Sequence, residues 1–164
     1  MDRVGIHMAA AALVAQLAVC KLTVTTAESC TGGLIAAAIT DIPGASDVFR
    51  QGAVTYANEA KTALLGVDKK TLAAFGAVSE HVAKQMAEGA RERAGADIAI
   101  AATGIAGPAG GSPEKPVGLV FIAVATAQKT HVEKHIFPGN RAQVREQAVQ
   151  TALKLALDTL KSGA

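Results

Sequence analysis

A polar segment with two glycines, residues 28–33 (Glu-Ser-Cys-Thr-Gly-Gly), joins a β-branched stretch to an apolar one. A strand that runs into glycines at the start of a helix leaves backbone N–H groups free to bind an anion or an oxyanion. We therefore expect Ser29 to face that point, where it could act as a nucleophile. The rest of the turn supplies candidate substrate-binding residues: Cys30, Thr31, Gly32 and Gly33. The alternative is that Ser29 or Thr31 simply caps the following helix, and the sequence alone leaves both possibilities open.

Cys30 is a rival nucleophile, because thiolate character rises at the N-terminus of a helix. A cysteine enzyme needs a base nearby, and none of the four histidines lies beside an obvious catalytic turn. Those histidines are His7, His81, His131 and His135. We therefore expect Cys30 to be a small filler beneath the helix.

Lys61 and Tyr56 are better partners for Ser29. Tyr56, the only tyrosine, ends the predicted strand 52–57, and Lys61 falls in the first turn of a helix that Asn58 should cap. A cation there opposes the helix dipole, and the same field with partial burial should lower the lysine pKa from about 10.4 toward a value useful for a base. The alternative is an exposed lysine beside a tyrosine at the edge of the sheet.

Two arginines, Arg141 and Arg145, stand four residues apart at the start of the last predicted helix, where the dipole disfavours cations. Guanidinium groups beside free N–H groups suit a phosphate or a carboxylate, so both are candidate substrate-binding residues. Pairing with Glu28, with Glu146 or with a neighbouring chain is the alternative.

The segment 103–118 holds five glycines and three prolines between two predicted core strands. Ligands of α/β proteins bind at loops beyond the carboxyl ends of strands, so Thr103 and Gly104 are candidate pocket residues. The segment lacks the Gly-Lys-Ser/Thr of a Walker A loop.

Three residues of a later strand, His131, Glu133 and His135, alternate as metal ligands could. An edge strand with one solvent-facing side gives the same pattern, so we predict no metal site there.

Apolar and polar patterns predict the elements that would position these side chains. The predicted strands cover residues 22–27, 52–57, 97–103, 118–126 and 129–137, and the last two form an antiparallel hairpin across Ala127-Gln128. Six helices are predicted. The first has Leu13, Leu17 and Cys20 on its core face, and the next three cover residues 34–40, 58–66 and 69–75. The fifth is capped by Ser79 and ended by Gly95, and the sixth runs from Asn140 to about Leu160. We expect a single α/β domain over residues 1–164, built as a three-layer α/β/α sandwich around a mixed sheet with a C-terminal β-hairpin and a final long helix.

Composition excludes several classes of protein. Half of the 164 residues are hydrophobic and 18% are charged, which excludes a disordered chain. The net charge is +2 and the basic residues are dispersed, so we expect no nucleic-acid partner. The longest unbroken apolar run, residues 8–15, is short of the ~20 residues that a membrane-spanning helix needs. Residues 17–20 look like the cleavage site of a lipoprotein signal peptide, but a bulky valine stands where such a site needs a small residue. Two cysteines without a CxxC spacing favour a reducing cytoplasm.

Several motifs, taken in order, resemble one known family. They are residues 26–33 (Thr-Ala-Glu-Ser-Cys-Thr-Gly-Gly), 52–58 (Gly-Ala-Val-Thr-Tyr-Ala-Asn) with Lys61, 102–108 (Ala-Thr-Gly-Ile-Ala-Gly-Pro), 116–118 (Pro-Val-Gly) and 137–145 (Phe-Pro-Gly-Asn-Arg-Ala-Gln-Val-Arg). Together they resemble the CinA C-terminal domain family over about residues 8–160. The molybdopterin-binding-like domain that precedes this one in full-length relatives has no counterpart here, so we expect a stand-alone member.

The resemblance implies an activity. Stand-alone members are nicotinamide-nucleotide amidohydrolases, which convert nicotinamide mononucleotide to nicotinate mononucleotide and ammonia in NAD salvage. By resemblance Ser29 is the nucleophile, Lys61 its base and Tyr56 a nearby hydrogen-bonding group, without a metal or redox cofactor. We expect a small nucleotide substrate, no membrane partner and a homo-oligomer. The competing hypothesis is a nucleotide-binding regulatory module without catalysis, linked to competence or the DNA-damage response.

Overall fold

A computed structural model describes residues 3–163, so Met1, Asp2 and Ala164 of the expected domain lie outside the described residues. Six α-helices follow one another as α1 (Arg3–Cys20), α2 (Leu34–Thr40), α3 (Asn58–Leu65), α4 (Lys69–Phe75), α5 (Glu80–Ala94) and α6 (Arg141–Lys161). Five strands lie among them: β1 (Val24–Glu28), β2 (Phe49–Val54), β3 (Ile98–Gly104), β4 (Leu119–Ala125) and β5 (Thr130–Ile136). A short 3₁₀ helix covers Ala45–Asp47.

The five strands form one mixed sheet in the order β2-β1-β3-β4-β5. Strand β1 is parallel to both β2 and β3, whereas β4 is antiparallel to β3 and to β5. The carboxyl ends of β1, β2 and β3 therefore meet at one edge of the sheet, which is where α/β proteins bind ligands. The β4–β5 hairpin confirms the predicted antiparallel pair.

Helices cover both faces of the sheet. On one face α1, α2 and α6 enclose a core that includes Leu13, Ile35, Ile100 and Leu153. On the other face α5 packs against β3 and β4, with Met86 in a core rich in alanine, and α3 and α4 pack against α5. This arrangement is the predicted three-layer α/β/α sandwich.

The predicted boundaries agree best where a helix has its own start and stop signals. Helices 34–40 and 69–75 have the predicted bounds. The Ser79 hydroxyl accepts the Val82 amide at the start of α5, and Gly95 ends that helix in a left-handed conformation. Asn140 and Gln143 cap α6 reciprocally, as expected.

Three predictions at element ends are wrong. Asn58 is the first residue of α3 and not its cap, since Ala57 holds the cap position without a side-chain hydrogen bond. Cys20 is exposed, because the helix ends there, beyond the buried positions of Leu13 and Leu17. Strand β2 spans Phe49–Val54, three residues earlier at both ends than the predicted 52–57, because its ladder with β1 begins at Phe49. Tyr56 therefore lies beyond the strand and does not end it.

Helix α1 has the length and apolar composition of a membrane-spanning helix, with a mean hydropathy of 1.6 over 18 residues. Its Leu13, Val14 and Leu17 are buried in the core that it shares with α6. A core helix satisfies the same length and composition test. Those contacts account only for the buried side of α1, since 28% of the window is buried and Val4, Met8 and Val19 are exposed.

Candidate active site

The pocket that we call the Ser29 pocket opens at the carboxyl ends of β1, β2 and β3, beside the start of α6. Its volume is about 290 Å³. Its lining comes from the turn after β1, the start of α3, the segment before α5, the loop after β3 and α6: Ser29, Cys30, Tyr56, Asn58, Lys61, Ala77, Val78, Thr103, Gly104, Ile105, Ala106, Gly107, Ala109, Gly110 and Arg141.

Ser29 and Lys61 meet in this pocket. The Lys61 Nζ atom lies 3.0 Å from Ser29 Oγ, and it also donates to the Thr55 carbonyl oxygen at 2.6 Å. Strand β1 delivers Ser29 directly after its last residue, and the Ser29 amide continues the sheet by donating to the Ala102 carbonyl at 3.0 Å. The two residues are 32 positions apart in the chain, so the parallel β1–β2 pair is what brings them together.

Lys61 is a buried lysine. Only 1% of the residue is exposed. Loss of hydration disfavours the ammonium form, so burial lowers the pKa of Lys61 below its usual value. Throughout residues 3–163, no carboxylate forms an ion pair with it. The alternative of an exposed lysine is therefore wrong, and burial is the cause of the shift.

Glu28, the last residue of β1, fixes the start of α2 beyond the turn. The Glu28 carboxylate accepts the amides of Ile35 at 2.8 Å and Ala36 at 3.1 Å, and it thereby caps α2. Neither Ser29 nor Thr31 caps the helix; Gly33 occupies the cap position. The capping alternative for these residues is therefore wrong, because the glutamate has taken the amides that a capping hydroxyl would bind.

The same turn has two backbone amides that take no part in backbone–backbone hydrogen bonds. Gly32 and Gly33 adopt φ of +60° and +97°, conformations that glycine reaches without strain. Within residues 3–163 the backbone N–H groups of Cys30 and Thr31 donate to no backbone carbonyl, and the Cys30 N–H interacts with its own sulfur. Cys30 also lines the pocket beside Ser29.

Cys30 has the environment of an inert thiol. Burial raises the pKa of Cys30 to about 11. A thiol of that acidity is almost fully protonated near neutrality, which makes it a poor nucleophile. The expectation of a small filler residue is confirmed by its burial against α2.

Tyr56 and Arg141 face each other across the mouth of the pocket. Tyr56 is 61% exposed, and its hydroxyl accepts a hydrogen bond from Arg141 Nη2 at 3.0 Å. Arg141 Nη1 donates to the Gly107 carbonyl at 2.9 Å. Arg141 thus connects the β2–α3 segment to the loop after β3, and it is the one arginine among the lining residues.

Thr103 and Gly104 lie in the pocket wall, as predicted. Thr103 is buried, and its hydroxyl donates to the Ala77 carbonyl at 2.9 Å. This bond ties the end of β3 to the segment before α5. Gly104 lies so close to β4 that an added Cβ would come within 2.6 Å of the Leu119 carbonyl oxygen.

Arg145 lies elsewhere. Its Nε donates to the Cys30 carbonyl at 3.0 Å and its Nη2 to the Thr31 carbonyl at 3.1 Å. It therefore contacts the turn from the α6 side and is outside the pocket lining, as are Thr31, Gly32 and Gly33. The two arginines were expected to share one anion site, but only Arg141 lines the pocket.

Two parts of the site escaped the sequence analysis. Glu28 was considered only as a partner for the arginines, although an acidic residue at the end of a buried strand and just before a helix is a recognisable capping signal. Ala77 and Val78 carry no chemical signal, and only the tertiary fold brings them to the pocket.

The histidine pair lies on the edge strand β5, two strands from β3, and lines no part of the Ser29 pocket. His131 lies 3.4 Å and His135 lies 2.8 Å from carboxylate oxygens of Glu133. His135 also stacks on Phe137 at a centroid distance of 5.1 Å. The contacts are those of an exposed edge strand.

Comparisons with known proteins place this geometry in a family. The CinA C-terminal domain matches residues 7–160. A CinA-like protein from Akkermansia muciniphila is 55% identical over 148 residues, covering 90% of this chain and 36% of the relative. The chain spans about a third of the length of the curated relatives it matches.

Solved structures share the whole fold. The competence/damage inducible protein CihA from Agrobacterium tumefaciens is 46% identical, with a TM-score of 0.93 and coverage of 96% of each chain. The competence damage-inducible protein A (ComA) from Klebsiella pneumoniae is 37% identical, with a TM-score of 0.94, and the match covers 97% of this chain and 99% of that one.

Proposed function

The chain belongs to the CinA C-terminal domain family, and from that premise we propose that it hydrolyses the carboxamide of nicotinamide mononucleotide to nicotinate mononucleotide and ammonia, in NAD salvage. The observation that carries the proposal is the 3.0 Å contact between Lys61 Nζ and Ser29 Oγ in the Ser29 pocket. A buried lysine releases its proton more readily than an exposed one, and a serine beside a neutral amine is an activated nucleophile for acyl transfer.

The first half of the reaction forms an acyl-enzyme. Ser29 Oγ attacks the amide carbon while neutral Lys61 takes the hydroxyl proton. Backbone N–H groups of the turn after Ser29, those of Cys30 and Thr31, are the donors for the resulting oxyanion, since neither bonds a backbone carbonyl. Lys61 then returns its proton to the leaving nitrogen, the C–N bond breaks and ammonia departs.

The second half releases the acid. Lys61, neutral again, takes a proton from a water molecule as that water attacks the ester carbon. The C–O bond to Ser29 breaks, and the protonated Lys61 restores the serine hydroxyl. The product is nicotinate mononucleotide, and the reaction consumes one water for each ammonia released.

Arg141 is suited to the phosphate of the substrate. Its guanidinium stands at the open side of the pocket, on the first residue of α6, and its present partners are a carbonyl and a phenol oxygen. A phosphate would replace these neutral acceptors with a charged one, which makes stronger hydrogen bonds. Tyr56 would then be free to bond with the substrate.

The test is ammonia release from nicotinamide mononucleotide by the purified protein, with the Ser29→Ala variant as control. Hydrolysis that depends on Ser29 supports the proposal. Tight binding of the nucleotide without ammonia would instead support the regulatory module. Hydrolysis that persists in Ser29→Ala would contradict the assignment of the nucleophile.

A further inference from the structure

Glu28 is a buried acid beside the nucleophile that the proposed reaction does not use. Only 1% of the residue is exposed. Burying a carboxylate costs several kcal/mol unless charge-assisted hydrogen bonds offset the lost hydration. Here both oxygens are occupied by amides at the start of α2, those of Ile35 and Ala36. The carboxylate thus fixes α2 against the end of β1, with the Ser29 turn between them.

Arg145 holds the same turn from the opposite side. Two of its guanidinium nitrogens donate to consecutive carbonyls, those of Cys30 and Thr31. A Cβ on Gly32 would lie 3.2 Å from Arg145 Nη2, so the side chain packs across the turn itself. A guanidinium fork binds two carbonyls at once with its donors held in one plane, whereas an ammonium on its flexible stem offers no such fixed arrangement.

We propose that Glu28 and Arg145 form a clamp that positions Ser29 for attack, the acid holding amides beyond the turn and the arginine holding carbonyls within it. The inference rests on the proposed hydrolysis and adds two positioning residues to it. Neither side chain lines the Ser29 pocket, so neither meets the substrate. Their effect is on the place and direction of Ser29 Oγ relative to Lys61 Nζ.

The clamp has a kinetic signature that a phosphate-binding role does not share. Misplacing a reacting group by about 1 Å can cost roughly a hundredfold in rate. Glu28→Gln and Arg145→Lys should therefore lower kcat by roughly 10- to 100-fold and leave KM within about threefold. The loss should be equal for the nucleotide and for its riboside, which lacks the phosphate.

The variants to compare are Glu28→Gln, Arg145→Lys and Arg145→Ala, with two exposed residues as matched controls. Glu92→Gln on α5 and Arg50→Ala on β2 remove the same charges away from the pocket and should behave as wild type. Added guanidinium ion should partly restore kcat in Arg145→Ala, because it can bind the two vacated carbonyls. A general loss of folding would not be rescued in this way.

A second measurement separates the clamp from the identity of the substrate. The rate at which a fluorophosphonate labels Ser29 reports nucleophile activation without the nucleotide. If the wild-type protein is labelled but releases no ammonia, the proposed substrate fails, and the labelling rates of the variants still test the clamp.

Parallel falls in kcat and labelling rate, with KM preserved, would support the clamp. A raised KM for the nucleotide alone in the Arg145 variants would overturn it in favour of phosphate binding. Unchanged kcat and labelling in Glu28→Gln and Arg145→Ala would also overturn it, as would a wild-type protein inert in both assays, which would leave no activated Ser29 to position.

Discussion

Replacing Ser29 by alanine, with Cys30→Ala as the matched control, distinguishes two adjacent nucleophiles. The Ser29 hydroxyl receives one hydrogen bond, from Lys61, and caps no helix. Its loss should therefore cost only about 0.5–1.5 kcal/mol of stability. The same change removes the attacking oxygen, so kcat should fall below roughly a hundredth of the wild-type value.

The Cys30 control follows from its acidity. With a pKa of about 11, roughly one thiol in ten thousand is ionised at pH 7. Removing so small a thiolate population should leave most of the activity, and the main effect of Cys30→Ala should be a modest loss of packing.

The assay is initial-rate ammonia release from nicotinamide mononucleotide, with nucleotide binding measured by calorimetry to show that Ser29→Ala keeps an intact pocket. A Ser29→Ala protein that retains more than about a hundredth of kcat would refute the serine mechanism. A comparable loss in Cys30→Ala, with its fold intact, would transfer the role to the thiol.

Three further predictions follow from Lys61 and Arg141. Lys61→Arg should be nearly as inactive as Lys61→Ala, because a guanidinium keeps its proton; substantial kcat in Lys61→Arg would make Lys61 an electrostatic anchor. Arg141→Ala should raise KM for the nucleotide by roughly one to two orders of magnitude, the equivalent of about 1.5–3 kcal/mol. It should barely change the kinetics on the riboside, which lacks the phosphate. Equal losses on both substrates would refute a phosphate role. In the unfolded chain Lys61 keeps its proton up to its usual pKa of 10.5, whereas in the folded protein it loses the proton at a lower pH. Between these two pKa values unfolding takes up a proton, so the stability of the wild type should rise with pH relative to that of Lys61→Met. Urea unfolding at several pH values measures this difference, and a constant gap would contradict it.

The sequence predicts the architecture because each element carries its own signals. Ser79 and Gly95 delimit α5, and Asn140 delimits α6, through hydrogen bonds that involve only nearby residues. The alternation of strands with helices then leaves few ways to arrange the layers. The boundaries of β2 were harder, because they depend on its ladder with β1, a contact between distant parts of the chain.

The site is predictable only in part for the same reason. Lys61 stands out because a cation in the first turn of a helix opposes its dipole. Ser29 stands out because it lies where a strand runs into glycines at the start of a helix. Arg141 and Arg145 look equivalent in sequence, since both are arginines at the start of one helix. Their roles diverge because only one of them projects toward the loop after β3, while the other reaches the turn after β1.

The acid Glu28 and the nucleophile Ser29 are adjacent in the chain, and the two-residue period of a strand directs them to opposite faces of the sheet. Successive side chains of β1 point to opposite faces of the sheet, so Glu28 faces α2 while Ser29 faces Lys61. Were the carboxylate turned toward Lys61, it would stabilise the ammonium form and raise the pKa that burial lowers. The carboxylate bonds α2 amides instead, so burial acts on Lys61 without a compensating anion. Inserting one residue into β1 would exchange these two faces, placing the acid beside the base and the nucleophile beneath the helix.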